Sequence, residues 1–384
     1  MTDFASMEEA HALPLYAKRG IVLVRGENAR VWDQEGRCYI DCVAGHGTAN
    51  LGHCHPAVVE TVRQQAGRLI SCSNTFYSDA RALFLERLTG AAPSGLGRAF
   101  LCNSGAEAVE AALKLARFTT GRTRFVCARQ AFHGRTFGAL SATHNPLYRD
   151  GFGPLVEGFA FVPFNNLQAA DAAVTGETAG VLLEVVQGEG GVHVADGEYL
   201  AGVAALCRER GALLLIDEVQ TGFCRTGRLF AFERFGLAPD LVCLAKSIAG
   251  GLPMGAVLCS SAIQAQPNKH GTTFGGNPLC CAAASASLGV MVETRLWDQA
   301  ERKGGALMAR LGAIRSPRVR QVRGLGLMVG VELREKVRPH LDRLAAEGVL
   351  ALPAGPNVLR LLPPLTIGED DLDRVADAVE RVLG

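Results

Sequence analysis

The sequence predicts an α/β protein, with a large domain built on a mostly parallel sheet and a smaller α+β domain beside it. Three observations carry this reading. Residues 213–217, apolar up to the closing Asp217, and the apolar run 241–245 have the pattern of strands buried on both faces. From residue 98 to 259 such runs alternate with helical patterns, as parallel strands joined by crossover helices require. After Asn277-Pro278 an alanine-rich helix leads into a region with its own alternation of strand and helix.

In chain order, residues 22–33 read as two short strands around a turn at Gly26 to Asn28, and 38–43 as a third strand. The spacing of Val58, Val59, Val62 and Leu69 predicts a helix over 56–69, and another follows over 80–88. Strand 98–103 precedes helix 106–118. Strand 123–128 is next, and strand 180–186 precedes helix 198–210. Residues 213–217, 241–245 and 256–259 are further strands. The C-terminal region begins with helix 278–293 and continues as strand 325–333, helix 338–347, strand 358–362 and helix 369–383. Residues 53–276 then form the large domain and 277–384 the small one, which 1–52 completes from the N-terminal side.

With 39 basic and 38 acidic residues the net charge is +1, so no bulk nucleic-acid or membrane partner is expected. The 12 cysteines are scattered without a CxxC, which suits reduced thiols in the cytoplasm rather than a disulfide framework. No apolar stretch approaches membrane-spanning length, and the first residues lack a signal-like pattern. His53-Cys54-His55 invites a metal, but no second ligand pair stands at a familiar spacing, so no metal site is expected.

Two apolar strands each deliver one charge at the carboxyl end, Asp217 and Lys246. A charge so placed is costly without a partner. The pair suits pyridoxal phosphate: the amine forms a Schiff base with the aldehyde, and the carboxylate keeps the pyridine nitrogen protonated. It equally suits a buried ion pair. Ser104, Gly105 and Ala106 open a helix after a strand, either as an anion site or as an ordinary N-cap. Phe132 could stack on an aromatic ring, and Arg135 could clamp a carboxylate bidentately or lie on the surface. In the glycine-rich loop after residue 186, Glu189 could neutralise an arginine across a cleft, while Glu184 could orient neighbouring polar groups. This loop lacks the spacing of a dinucleotide fingerprint. Val219 could pack under a ring and Gln220 donate to a phenolate oxygen. Thr272 and Thr273 offer hydroxyls to a phosphate, or form a plain turn.

Together these segments resemble the class III (ω-amino group) aminotransferases of the fold-type I pyridoxal phosphate enzymes. The resemblance runs from Gly26-Glu-Asn-Ala-Arg-Val-Trp-Asp through Leu51-Gly-His-Cys-His-Pro to Arg360-Leu-Leu-Pro-Pro-Leu. It implies pyridoxal 5'-phosphate held covalently by Lys246, with Asp217 on the pyridine nitrogen and Phe132 stacked on the ring. Ser104, Gly105 and Ala106 hold the phosphate, and Val219 and Gln220 complete the contacts. Thr273 reaches the cofactor phosphate of a neighbouring subunit, which implies a homodimer with shared active sites, and Thr272 lies near the substrate. Arg135 binds the substrate carboxylate. Arg360 pairs with Glu189 and swings free for glutamate.

Within the class, the acetylornithine and N-acyl-lysine subgroup is most similar. Tyr39-Ile-Asp-Cys-Val-Ala-Gly-His-Gly-Thr-Ala-Asn-Leu-Gly-His, His270-Gly-Thr-Thr-Phe-Gly-Gly-Asn-Pro-Leu, Thr294-Arg-Leu-Trp and Arg323-Gly-Leu-Gly-Leu-Met-Val-Gly resemble the enzymes acting on lysine precursors attached to an amino-group carrier protein. The implied reaction is ping-pong transfer of a terminal amino group between such a lysine and 2-oxoglutarate, in lysine biosynthesis by the α-aminoadipate route. The acetylornithine reaction of arginine biosynthesis, or both reactions, is the alternative. A small acidic carrier protein is the implied partner. Two positions depart from the class: Val185 stands where proline is usual, and Ala108-Val109 where Ala-Asn is usual.

Overall fold

A computed structural model describes residues 2–384. Near the N-terminus, β1 (Leu23–Glu27), β2 (Arg30–Asp33) and β3 (Cys38–Asp41) form an antiparallel meander. The turn between β1 and β2 uses Asn28 at φ 48°, a left-handed conformation that asparagine tolerates. Gly26 lies inside β1 rather than in the turn. A Cβ there would stand 2.8 Å from the His53 side chain, so close approach explains the glycine.

β4 (Arg98–Cys102), β5 (Arg124–Ala128), β6 (Phe159–Val162) and β7 (Thr178–Leu183) enter the large sheet. β8 (Val186–Gln187) and β9 (His193–Val194) form a separate antiparallel ribbon. β10 (Leu213–Asp217), β11 (Leu241–Leu244) and β12 (Gly255–Cys259) complete the large sheet. Its seven strands run in the order β4-β12-β11-β10-β7-β5-β6, and only β12 opposes its neighbours. Every residue of β10 and β11 is buried, which accounts for their unbroken apolar character. The predicted strand 180–186 is cut short. β7 ends at Leu183, and Glu184 leaves the ladder to accept from the backbone N–H of Phe132 and Gly188.

The helix Gly105–Thr120 lies on this sheet through Ala108, Val109, Ala111 and Ala112, all fully buried. Val109, one of the departures from the class pattern, is a packing residue. The helix stops at Gly121, whose φ of 68° suits a left-handed C-terminal residue.

In the C-terminal region, Asn277 caps helix Pro278–Glu293 by accepting from the Cys280 N–H at 2.9 Å. Helix Leu296–Gly312 follows, an element the sequence reading did not contain. The predicted strand 325–333 is the second half of a hairpin of β13 (Val319–Leu325) and β14 (Met328–Leu333). After helix Arg338–Ala346 come β15 (Val349–Leu350), β16 (Leu352–Ala354) and β17 (Val358–Leu361), and helix Glu369–Leu383 ends the chain. One antiparallel sheet has the order β13-β14-β17-β16. β15 leaves it and pairs in parallel with β3, Val349 opposite Ile40. The segment after β3 is also tied to the C-terminal strands: Leu362 N–H donates to Cys42 O and Leu365 N–H to Asn50 O, each at 2.8 Å.

Among the described residues no single helix is long and apolar enough to cross a membrane. The twelve cysteines are all free.

Glu218 is fully buried behind β10, where Oε1 accepts from Phe232 N–H at 2.8 Å and Oε2 from the Thr221 hydroxyl at 2.5 Å. Burial pushes its carboxyl up to about 7. The folded protein therefore holds a proton that the unfolded chain releases at lower pH, and this group's contribution to stability declines from about pH 4.5 to about pH 7. A shift of that size corresponds to roughly 3 kcal/mol. Glu218→Gln is expected to flatten the decline: its thermal midpoint, compared with the parent's, should rise between about pH 5 and about pH 8. Parallel curves across that range would show that Glu218 does not titrate there.

Candidate active site

The carboxyl ends of β10 and β11 open onto a cavity of about 370 Å³. Lys246 begins the tight turn after β11 at φ 47°, a left-handed conformation that a non-glycine residue holds only under constraint. Lys246 lines the cavity. Burial lowers its pKa below the usual 10.5, and the Arg360 charge acts in the same direction, against the pull of Glu189, Asp217 and Glu184. Among the described residues it has no carboxylate within 4.0 Å. The simple Lys246–Asp217 ion pair that the sequence left open does not form.

Asp217 is held from behind. Its Oδ2 meets His133 Nδ1 at 2.7 Å and its Oδ1 accepts from Val219 N–H at 3.0 Å. His133 is buried, and its backbone N–H donates to Thr143 Oγ1 at 2.9 Å. Burial disfavours its charged form, but the hydrogen bond and charge of Asp217, with Glu184 beyond, outweigh this and raise its pKa. Burial in turn pushes the Glu184 carboxyl up. The Asp217 carboxylate is thus fixed in orientation by His133 and Val219, and Asp217 lines the cavity.

Ser104 caps the helix Gly105–Thr120, its hydroxyl accepting from Glu107 N–H at 3.2 Å, and the helix starts at Gly105 rather than at Ala106. The cap is made, and Ser104, Gly105 and Ala106 line the cavity wall where the helix begins. Space is tight there. A Cβ on Gly105 would stand 2.7 Å from Val219 Cγ1, and one on Gly134 would stand 2.9 Å from Ala106 Cβ. Phe132 lines the same cavity, edge-on to Tyr148 with ring centroids 5.2 Å apart.

Glu189 and Gln220 form another part of the wall. Arg360, 1% exposed on β17, donates to Glu189 Oε1 at 2.6 Å and to Gln220 Oε1 at 3.0 Å. Burial alone would raise the Glu189 pKa, but Arg360 outweighs it and holds the carboxyl below its ordinary value.

Ser104, Gly105, Ala106, Phe132, Glu189, Asp217, Val219, Gln220 and Lys246 all line this cavity, and Arg360 reaches it through Glu189 and Gln220. Arg135 is exposed, with its guanidinium 5.2 Å from the centre of the Tyr148 ring. Thr272 accepts from Asn103 Nδ2 at 3.0 Å, and Thr273 is exposed; neither threonine lines the cavity. His53 meets Asp41 Oδ2 at 2.7 Å.

The sequence reading missed three residues. His133 stood inside Phe132-His-Gly-Arg, but only the fold shows Asp217 against it. Tyr148 sits in the short helix Pro146–Arg149, which Asn145 caps. His46 belongs to a run at positive φ from Ala44 to Gly47. Its pKa is lowered by burial and then by Arg360, with Glu189, Lys246 and Arg135 also acting on it.

The cavity fits pyridoxal phosphate. An amine free of carboxylate partners, an oriented buried carboxylate, an aromatic ring and a helix N-terminus match an aldehyde, a ring nitrogen, a flat ring and a phosphate in turn.

The family model for aminotransferase class III matches residues 15–383. A [LysW]-aminoadipate semialdehyde transaminase of Deinococcus radiodurans is 51% identical, over 100% of this chain and 90% of that protein. An acetylornithine aminotransferase of Methanosarcina acetivorans is 45% identical, over 97% of this chain and 94% of its own length. Among solved structures, an ornithine aminotransferase from Toxoplasma gondii superposes with TM-score 0.94 at 32% identity, covering 99% of this chain and 94% of that one. An acetylornithine aminotransferase from Elizabethkingia anophelis gives 0.89 at 34%, covering 99% and 98%. With a mostly parallel seven-stranded sheet, an amine at a strand end and a match along nearly its whole length, this chain belongs to the class III aminotransferases, enzymes of fold type I that use pyridoxal phosphate.

Proposed function

We propose that this aminotransferase moves the terminal amino group of a lysine attached to a carrier protein to 2-oxoglutarate, or the reverse from glutamate, in lysine biosynthesis by the α-aminoadipate route. The observation that carries the exchange is the Arg360–Glu189 pair at 2.6 Å on the cavity wall. A site that handles an ω-amine and a dicarboxylate in turn must hide one cation from the first and offer it to the second. Glu189 does the hiding, and Gln220 holds the same guanidinium. The 51% identical relative supports the carrier-linked substrate.

Pyridoxal phosphate, when bound, supplies the aldehyde that takes the amino group and a ring that accepts electrons from the substrate carbon. The chain supplies the rest. Lys246 would anchor the cofactor between turnovers, and its Nζ is the group that would take up and return the proton. Its lowered pKa suits a group that must give and take protons near neutrality. Asp217 keeps the ring nitrogen protonated, and His133 fixes the carboxylate that does so. The first amides of helix Gly105–Thr120, with Ser104 and Ala106, take the phosphate. Phe132 and Val219 would pack on the ring, and Gln220 would donate to its oxygen. Arg135 takes the substrate carboxylate at the mouth, and Thr272 lies beside the substrate.

We propose a homodimer in which Thr273 serves the partner's site. Its exposure, with Phe274 64% and Tyr77 104% exposed on the same protomer, supports a covering subunit. Twelve free cysteines support a reducing cytoplasm.

Turnover on carrier-linked lysine, N-acetyl-lysine and N-acetylornithine at matched concentrations tests the substrate. The carrier-linked lysine is expected to lead in kcat/KM by at least about ten-fold. Preference for free acetylornithine would transfer the enzyme to the arginine route, the reading that the 45% identical relative favours.

A further inference from the structure

The chain between β8 and β9 carries Glu189 and passes over the sheet that holds Arg360. Strand register sets three residues in one row: Arg323 of β13 faces Gly330 of β14, which faces Arg360 of β17. Cross-strand partners share a face of the sheet, so two arginines flank a position without a side chain. Val192 occupies that gap, and a Cβ on Gly330 would come within 2.9 Å of Val192 Cβ. On one side of Val192, Arg360 holds Glu189 at 2.6 Å. On the other, Arg323 Nε donates to Gly191 O at 3.0 Å and to Val192 O at 3.2 Å, while Nη2 donates to Gly191 O at 2.7 Å. Its Nη1 is fixed by Glu332 and by Gln321 Oε1. The held backbone is unusual, with Gly191 at φ 120° and Val192 at φ 56°. A valine leaves that conformation unless its surroundings enforce it.

We infer that Arg323 is a positioning residue for substrate alternation: by gripping Gly191 and Val192 it sets Glu189 over Arg360 whenever no second carboxylate is present. The inference rests on the proposed exchange of Arg360 between Glu189 and a dicarboxylate. Without the grip, Glu189 covers Arg360 less of the time. The half-reaction with the ω-amine then suffers, and the half-reaction with glutamate does not.

The test uses holoenzyme carrying Glu189→Gln, Arg323→Ala, Arg323→Lys or the first two together, with each half-reaction followed in single turnovers. Glu189→Gln is expected to lower kcat/KM for the preferred ω-amine roughly ten-fold and to change that for glutamate less than about two-fold. Arg323→Ala should show the same selectivity. The double variant should lose no more than Glu189→Gln alone, because the two residues act as one unit. Arg323→Lys keeps the charge but not the planar fork, and should fall between parent and alanine. Amide hydrogen exchange over residues 187–193 should quicken in Arg323→Ala. Equal losses in both half-reactions, multiplied losses in the double variant or unchanged exchange would overturn the role of Arg323. A Glu189→Gln variant without selectivity would instead refute the Arg360 exchange, and the inference with it.

Discussion

Lys246→Ala is expected to reduce transamination by about 10⁴-fold or more, because in the proposed mechanism one side chain both anchors the cofactor and moves the proton. The fold should survive. Lys246 makes no ion pair among the described residues. Its removal also relieves an ammonium that burial already disfavours. Both half-reactions should fail together, since each needs the proton carried at the same atom. Added methylamine, small enough to enter the emptied space, should restore part of the proton transfer. The decisive measurement is a single turnover of each half-reaction with cofactor bound and the thermal midpoint unchanged. Turnover at the parental rate would remove Lys246 from the chemistry.

Asp217→Asn comes second, with an expected loss of roughly 10²–10³-fold in both half-reactions. Asparagine keeps the shape but not the charge. The ring nitrogen then has nothing to hold its proton, and electron withdrawal from the substrate carbon weakens. His133 responds as well: without the Asp217 carboxylate, burial dominates and its pKa drops. His133→Asn should cost far less, because Val219 N–H still orients Asp217. A His133 variant as impaired as the Asp217 variant would show that the histidine does more than orient. A loss below about three-fold in Asp217→Asn would exclude the carboxylate as the partner of the ring nitrogen.

Much of this was visible in the sequence, where local pattern and tertiary environment agree. β10 and β11 are buried on both faces, so their apolar runs and terminal charges stood out. Helix Leu296–Gly312 carries Gly304-Gly305, a pair that disfavours a helix interior. The structure shows that Gly304 is needed for close approach, since a Cβ there would stand 1.9 Å from Gly326 O. β6 was missed as a four-residue edge strand with only Val162 fully covered. At the site, groups facing the cavity were recognisable by type, whereas the support behind them was not. His133 is separated from Asp217 by 84 positions and Arg323 from Gly191 by 132, and no local spacing signals such contacts.

The pairing of β3 with β15 bears on the order in which a growing chain becomes an enzyme. All seven strands of the large sheet lie before residue 260, so a nascent chain can assemble the scaffold that presents Asp217 and Lys246 before the C-terminal strands are made. The rim after Asp41 waits for Val349 to pair with Ile40, and for Leu362 and Leu365 to reach Cys42 and Asn50. A ribosome stalled before residue 349 would display the two charged strand ends with no finished mouth around them. Competence arrives only after residue 349 is made, when the early strand β3 finds the late strand β15.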